Sequence, residues 1–249
     1  MSTYCGLYLI QHSVSNYLML RILLLLWIIR NIFFALHLNM FDPKTILVLA
    51  PHTDDGELGC GGTIAKFVTE GKRVYYAAFS LCSKSLPAGL PADTLAHECK
   101  KAVSVLGIPA DNVTLLDFEV RNFPKLRQEI LEELVRLRKK INPDLVFIPS
   151  SADIHQDHGV IHAEALRAFK NSSLLAYELP WNHAQFNSTY FISLSVNDIA
   201  KKIEALKEYQ SQSHRNYMQE DFILSLAKVR GVQANTEYAE AFEVYKLIS

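Results

Sequence analysis

The sequence predicts an α/β protein: a Rossmann-like, doubly wound, mostly parallel sheet with helices on both faces. Three observations carry that prediction. Short apolar, β-branched runs alternate with longer stretches at helical period from residue 40 onward. Two of the helical stretches end at glycines, Gly71 and Gly107. Two His/Asp clusters follow directly on strand-like runs, at the carboxyl ends of strands, where open α/β sheets bind ligands.

In chain order, a strand at 45–50 leads to a helix over 59–70, which Gly71 closes. A strand at 74–80 precedes a helix from about 93 to 106, closed by Gly107. A strand at 112–116 runs through a polar loop into a helix at 125–141, where Leu126, Ile130, Leu134 and Leu137 repeat at helical spacing. Asn142-Pro143-Asp144 stops that helix, and a strand at 145–149 follows. A helix at 159–170 and a strand at 174–178 complete the alternation. Helical stretches around 198–210 and 220–229 and a strand at 241–247 finish the chain. With no internal repeat and no low-complexity linker, residues 40–249 read as one domain.

The chain has 249 residues, enough for one α/β domain with a full core. A formal net charge of −1 gives no reason to expect nucleic acid or an acidic membrane as partner. Cys5, Cys60, Cys82 and Cys99 form neither a Cys-x-x-Cys pair nor a disulfide framework, which suits a reducing, cytoplasmic location. Cys60, near a helix start, reads as a packed small residue rather than a reactive thiol.

Residues 1–39 differ from the rest. From Tyr17 to Leu38 the chain is largely apolar, but Arg21, Arg30, Asn31 and His37 interrupt it. The unbroken stretch 22–29 is much shorter than the roughly 20 residues a spanning helix needs. No A-x-A-like site closes the run as in a cleavable signal peptide. Met40-Phe-Asp-Pro-Lys followed by the first core strand resembles the start of a soluble enzyme, which favours a start codon assigned too early. A membrane anchor through 17–38 and a soluble extra segment are the alternatives.

The first cluster is Pro51-His52-Thr53-Asp54-Asp55-Gly56-Glu57. His52 and Asp55, three apart on a tight turn, can face one point, and imidazole with carboxylate suits Zn²⁺ at about 2.0–2.2 Å. Asp54 then stands beside the metal as a proton acceptor. Taken alone, an Asp-Asp pair after a strand is often a helix cap or a solvated turn. Gly59-Cys60-Gly61-Gly62 lets the backbone pass close to the site. The second cluster is His155-Gln156-Asp157-His158. His158 supplies a third ligand and leaves a position open, as catalytic zinc sites require. His155 is then better used as an acid or oxyanion donor, and Asp157 as the group that holds an imidazole in the needed tautomer. The same donor set suits iron(II) or another divalent metal.

The segments ILVLAPHTDDGELGCGGTIAKF and HQDHGVIHAEAL resemble the zinc-dependent de-N-acetylase family typified by N-acetylglucosaminyl-phosphatidylinositol deacetylase and the LmbE-like (PIG-L) proteins. Weaker echoes are His97-Glu98 to Leu106-Gly107, Ser211-Gln212 and Glu240-Ala-Phe-Glu-Val, so the likeness spans 44–249. Residue by residue, it implies His52, Asp55 and His158 as metal ligands. Asp54 matches the general base, His155 the acid or oxyanion partner, and Asp157 an orienting group. Thr53 replaces the usual proline, and Gly56 replaces a common glutamate. Thr94-Leu95-Ala96-His97 stands where many relatives carry a substrate-binding arginine. The implied reaction is removal of an N-acetyl group from an N-acetylglucosamine-type sugar or glycoconjugate by a zinc-held water, whose pKa falls from about 16 to about 7. Asp54 takes its proton, and His155 helps to hold the oxyanion, a role worth about 3–4 kcal/mol for one donor.

Around this centre, Arg121 is a candidate to grip an anionic or hydroxyl-rich substrate. Trp181 and His183, with Asn182, are candidates to wall a sugar site. His162 reads as structural. Three rival readings are weaker. Asp153-x-His155-x-Asp157-His158 nearly matches the His-x-His-x-Asp-His signature of dinuclear metallo-β-lactamase-fold hydrolases, but leaves Asp54 and Asp55 without a role. A dinucleotide-binding oxidoreductase lacks its third glycine and its ribose-binding acid. A non-catalytic sugar-binding relative has no need of the complete set of catalytic residues.

Overall fold

In the computed structural model, residues 19, 21, 22, 24–28 and 41–248 are described. The strands are β1 (Thr45–His52), β2 (Arg73–Ser80), β3 (Val113–Leu115), β4 (Leu145–Pro149), β5 (Ser173–Tyr177), β6 (Tyr190–Leu194) and β7 (Tyr238–Lys246). They form one sheet in the order β3-β2-β1-β4-β5-β7-β6. β3, β2, β1, β4 and β5 pair in parallel, while β7 runs antiparallel to both β5 and β6. The chain winds from β1 out to β3, returns to β4 beside β1, and winds the other way to β5. The strand order therefore reverses between β1 and β4, and a crevice opens at their carboxyl ends.

The helices are α1 (Asp55–Thr69), α2 (Thr94–Val105), α3 (Arg127–Ile141), α4 (Gln156–Ala168), α5 (Val196–Lys207) and α6 (Glu220–Gln233). Both sheet faces are covered, as the unbroken apolar runs require. Ile46, Leu47, Val48, Leu49 and Ala50 are all fully buried. Leu47, Leu49, Val146 and Ile148 pack with Ile130, Leu134 and Leu137 of α3 and Ile161 and Ala165 of α4. The alternate residues of β1 point to the opposite face, where α1 and α5 lie against each other.

Helix starts depart from the sequence reading. α1 opens at Asp55 rather than 59, and α4 at Gln156 rather than 159, so both polar clusters run into the first turns of helices. Gly59 and Gly62 are packing residues inside α1. A Cβ on Gly59 would strike the Tyr177 ring, and one on Gly62 would come within 2.6 Å of Leu194. At Cys60 the helix is broken (φ −146°), and the freed N–H groups of Gly62 and Thr63 donate to the Glu240 carboxylate at 3.1 and 2.7 Å. Lys202 of α5 donates to Glu240 at 2.6 Å and to the Leu58 carbonyl at 2.7 Å. Both charges are buried. Lys202→Met is expected to cost about 3–5 kcal/mol by stranding the Glu240 charge, lowering the melting midpoint by about 10 °C. An unchanged midpoint in thermal denaturation would show that the pair is dispensable.

The sequence reading omits β6 and starts β7 three residues late. β6 is a five-residue edge strand whose inward Ile192 and Leu194 make a short signal. The early part of β7 contains Glu240, whose charge reads as a boundary although its cap-and-lysine role keeps it inside. α5 begins at Val196 because Ser195 and Asp198 form a capping box. The described part of the N-terminal segment is helical, and no described helix is long and apolar enough to cross a membrane. The rest of 1–39 lies outside the described residues, and so does the choice among the three readings of that segment.

Candidate active site

β1 and β4 deliver both polar clusters to the crevice where the strand order reverses. Three donor atoms meet there. His52 Nδ1 lies 3.1 Å from Asp55 Oδ2 and 3.1 Å from His158 Nε2, and the third side, His158 Nε2 to Asp55 Oδ2, is 3.2 Å. Ligand bonds of 2.0–2.1 Å in a tetrahedral zinc site put donor atoms about 3.3 Å apart. The triangle is therefore the size of one face of such a site. His155 lies close, its ring centre 4.8 Å from that of His52 and 4.7 Å from that of His158. His52, His155 and His158 also bring ligand atoms within 4.8 Å of one another, a looser set than the triangle through Asp55.

Each imidazole is turned by a carboxylate behind it. His52 Nε2 faces Asp157 Oδ2 at 3.2 Å, which leaves Nδ1 toward the centre. His158 Nδ1 faces Asp153 Oδ2 at 2.7 Å, which leaves Nε2 toward the centre. Asp157 is fixed by the backbone N–H groups of Arg121 and Phe123, at 2.5 and 3.3 Å. Asp55 Oδ2 accepts the His52 backbone N–H at 2.8 Å, closing the turn. The role of Asp153 did not emerge from the sequence, where it stood only within the metallo-β-lactamase-like spacing. Such outer partners are worth about 10- to 100-fold in metal affinity. Asp153→Asn is expected to weaken zinc binding by that factor in a chelator competition, and unchanged affinity would remove Asp153 from the metal site.

Electrostatics agree with a centre that draws in positive charge. Burial opposes ionisation of Asp55, yet the charges of His158 and His52 hold its carboxyl well below the usual range. Burial would lower the His158 imidazole, but Asp55 and Asp153 hold it up at about 10. His52 is raised against burial by Asp55 and Asp157. His155 goes the other way. Burial and the neighbouring His52 and His158 push it down to about 4, which leaves it neutral. The Asp157 backbone N–H donates to His155 Nδ1 at 3.2 Å, so the neutral ring carries its proton on Nε2.

Asp54 precedes the first turn of α1 but makes no side-chain capping bond, so its carboxylate is not engaged by the helix. Burial and the charge of Asp55 push it up to about 6. Behind it, the Thr53 carbonyl accepts the hydroxyls of Tyr76 and Tyr209 at 2.9 and 2.5 Å. Glu57, fully buried, bonds both tyrosines, and burial pushes its carboxyl up to about 8. This buried set fixes the turn that presents Asp54 and Asp55.

A cleft of about 280 Å³ opens over the centre. His52, Asp54, Asp55, His155 and His158 line it, as do Arg121 and Trp181. Asp157 sits beneath, fully buried. His183 does not line the cleft. Its ring stacks on Phe186 at 5.4 Å and its Nε2 stands 3.9 Å from Asp153. Arg215 and Tyr217, which sequence reasoning passed over, do line it, and Tyr217 stacks on Trp181 with ring centres 4.1 Å apart.

A model of the PIG-L family, GlcNAc-PI de-N-acetylase, matches residues 47–169. Diacetylchitobiose deacetylase of Thermococcus kodakarensis is 28% identical over 224 residues, covering 80% of this chain and 82% of that one. Among solved structures, N,N'-diacetylchitobiose deacetylase from Pyrococcus horikoshii superposes with a TM-score of 0.69 at 22% identity, over 82% of this chain and 84% of that one. GalB, the 4-carboxy-2-hydroxymuconate hydratase of Pseudomonas putida, superposes with a TM-score of 0.66 at 20% identity, over 83% and 98%. At those identities the structures share a fold, and one fold carries both reactions. With both segments of the family match converging on the His52–Asp55–His158 triangle, the chain matches the PIG-L/LmbE-like de-N-acetylase family.

Proposed function

We propose that this protein is a zinc-type, metal-dependent hydrolase that removes the N-acetyl group from an N-acetylglucosamine-type sugar or glycoconjugate, with residues 40–249 as its catalytic unit. The observation that carries the reading is the triangle of His52 Nδ1, Asp55 Oδ2 and His158 Nε2, with the uncapped Asp54 carboxylate lining the same cleft. These three side chains would hold the cation, and Asp157 and Asp153 would fix their tautomers.

A divalent cation there supplies a Lewis acid that polarises the amide carbonyl and acidifies a water. Asp54 accepts the proton of the attacking water. Its raised carboxyl makes it a stronger base than an ordinary aspartate while still largely ionised near neutrality. His155, neutral with its proton on Nε2, donates a hydrogen bond to the developing oxyanion. Protonated Asp54 then hands the proton to the departing amine, which leaves acetate and an amino sugar. The free, buried thiols of Cys60, Cys82 and Cys99 suit a cytoplasmic setting.

The test is acetate and amine release from N-acetylglucosamine and N,N'-diacetylchitobiose by zinc-loaded protein. Equal amounts of the two products are expected, lost on chelation and restored by zinc. A form beginning at Met40 is expected to match the full chain. A folded, zinc-loaded protein that releases neither product from N-acetylated sugars would overturn the reading.

A further inference from the structure

Behind the metal-type triangle lies a further layer, carried by the segment that follows β5. Its hub is Asp153, whose side chain is wholly buried. Asp153 Oδ1 accepts the His155 backbone N–H at 2.8 Å, and Oδ2 faces His158 Nδ1 at 2.7 Å. Asn182 Nδ2 donates to the same Oδ2 at 3.3 Å, and His183 Nε2 stands 3.9 Å from it. The backbone holds the two segments in register. Asp153 and His183 form an antiparallel bridge, and the Ile154 N–H donates to the Asn182 carbonyl at 3.1 Å.

His183 is the anomaly in this layer. Its side chain is 3% exposed, yet among the described residues neither ring nitrogen has a hydrogen-bond partner. Polar atoms buried in that way cost stability, and native proteins keep few of them. Stacking on Phe186, within 4° of parallel, explains a flat ring but not its nitrogens, because phenylalanine would stack as well. Asp153 is the carboxylate within ion-pair distance of that ring. With its proton on Nε2, the imidazole turns the positive end of its N–H dipole toward Asp153.

We infer that Asn182 and His183 are positioning residues of the metal centre, which fix the Asp153 carboxylate and through it the His158 ring. The inference rests on the metal-centre reading above. Among the described residues, no hydrogen bond joins either one to His52, Asp55 or His158, so their effect passes through Asp153. A carboxylate gripped on both oxygens cannot swing, and the imidazole it holds keeps Nε2 toward the cation. The same segment brings Trp181 to the cleft wall, so one turn serves both the cleft and the support of the centre.

The test is the zinc affinity of the full chain by chelator competition, read beside the melting midpoint of the zinc-free protein. His183→Phe keeps a ring to stack on Phe186 and removes both nitrogens, whereas Asn182→Ala removes the amide donor. Each is expected to weaken zinc binding about 10-fold, within the range that outer partners supply. The zinc-free midpoint of His183→Phe is expected to match or exceed that of the wild type, since no polar atom is left stranded. In an Asp153→Asn background neither substitution is expected to change the affinity further, because the carboxylate that carries the effect is gone. If His183→Phe does not fold, Asn182→Ala carries the same test. Wild-type zinc affinity in either folded variant, or equal losses with and without the Asp153 carboxylate, would overturn the inference and leave the hydrolase intact. A protein that shows the expected zinc pattern yet releases no acetate from N-acetylated sugars would sustain the inference and overturn the hydrolase.

Discussion

Asp54→Asn is expected to lower kcat at least about a hundredfold, within the 10²–10⁴ that a positioned proton acceptor supplies, with zinc content and fold unchanged. The prediction separates Asp54 from its neighbour. Asp55 spends Oδ2 on the His52 backbone N–H and on both imidazoles, whereas the Asp54 side chain makes no cap bond to the helix it precedes. A carboxylate that is half-buried, raised to about 6 and not used by the helix does no evident structural work. Asparagine has nearly the same size and no charge to bury, so the loss should fall on kcat while the melting midpoint holds. Purified variant with full zinc occupancy, normal circular dichroism and at least half the wild-type kcat would exclude Asp54 as the base.

The parallel half of the sheet was legible because its strands are buried on both faces, so 45–50 and 145–149 read as unbroken apolar runs. Both metal-type clusters were legible because two His/Asp groups, each at the carboxyl end of a strand in one open sheet, can converge on a single point. What failed had a physical reason in each case. Gly59 and Gly62 read as letting the backbone pass close to the site, whereas they serve the close approach of α1 to Tyr177 and Leu194. Glu240 read as the outside of a strand, because a buried carboxylate that caps a broken helix 178 residues earlier leaves no local trace. Asp153 and Arg215 could not be placed for a similar reason. Their roles depend on distances set by the turn before α4 and by the segment after α5, and no periodic pattern encodes either. His183 shows the converse, a polar residue in a promising tripeptide that folds against Phe186 instead of lining the cleft.

Two ligand sets are available at the centre, and zinc binding distinguishes them. Asp55→Ala is expected to abolish retention of zinc through dialysis, while His155→Ala retains it and loses about 10²–10³ in kcat, the usual cost of an oxyanion donor. The case for Asp55 is geometric. Its Oδ2 lies 3.1 and 3.2 Å from the inward nitrogens of His52 and His158, and a carboxylate adds charge neutralisation that a third imidazole cannot. His155 has its Nδ1 occupied by the Asp157 N–H, and among the described residues no carboxylate hydrogen-bonds the ring to raise its basicity as Asp157 does for His52 and Asp153 for His158. It is held as a neutral donor, the form useful to an oxyanion and poor for a cation. Zinc lost from His155→Ala and kept by Asp55→Ala would make the centre a three-histidine site and return Asp55 to the role of closing the turn at His52.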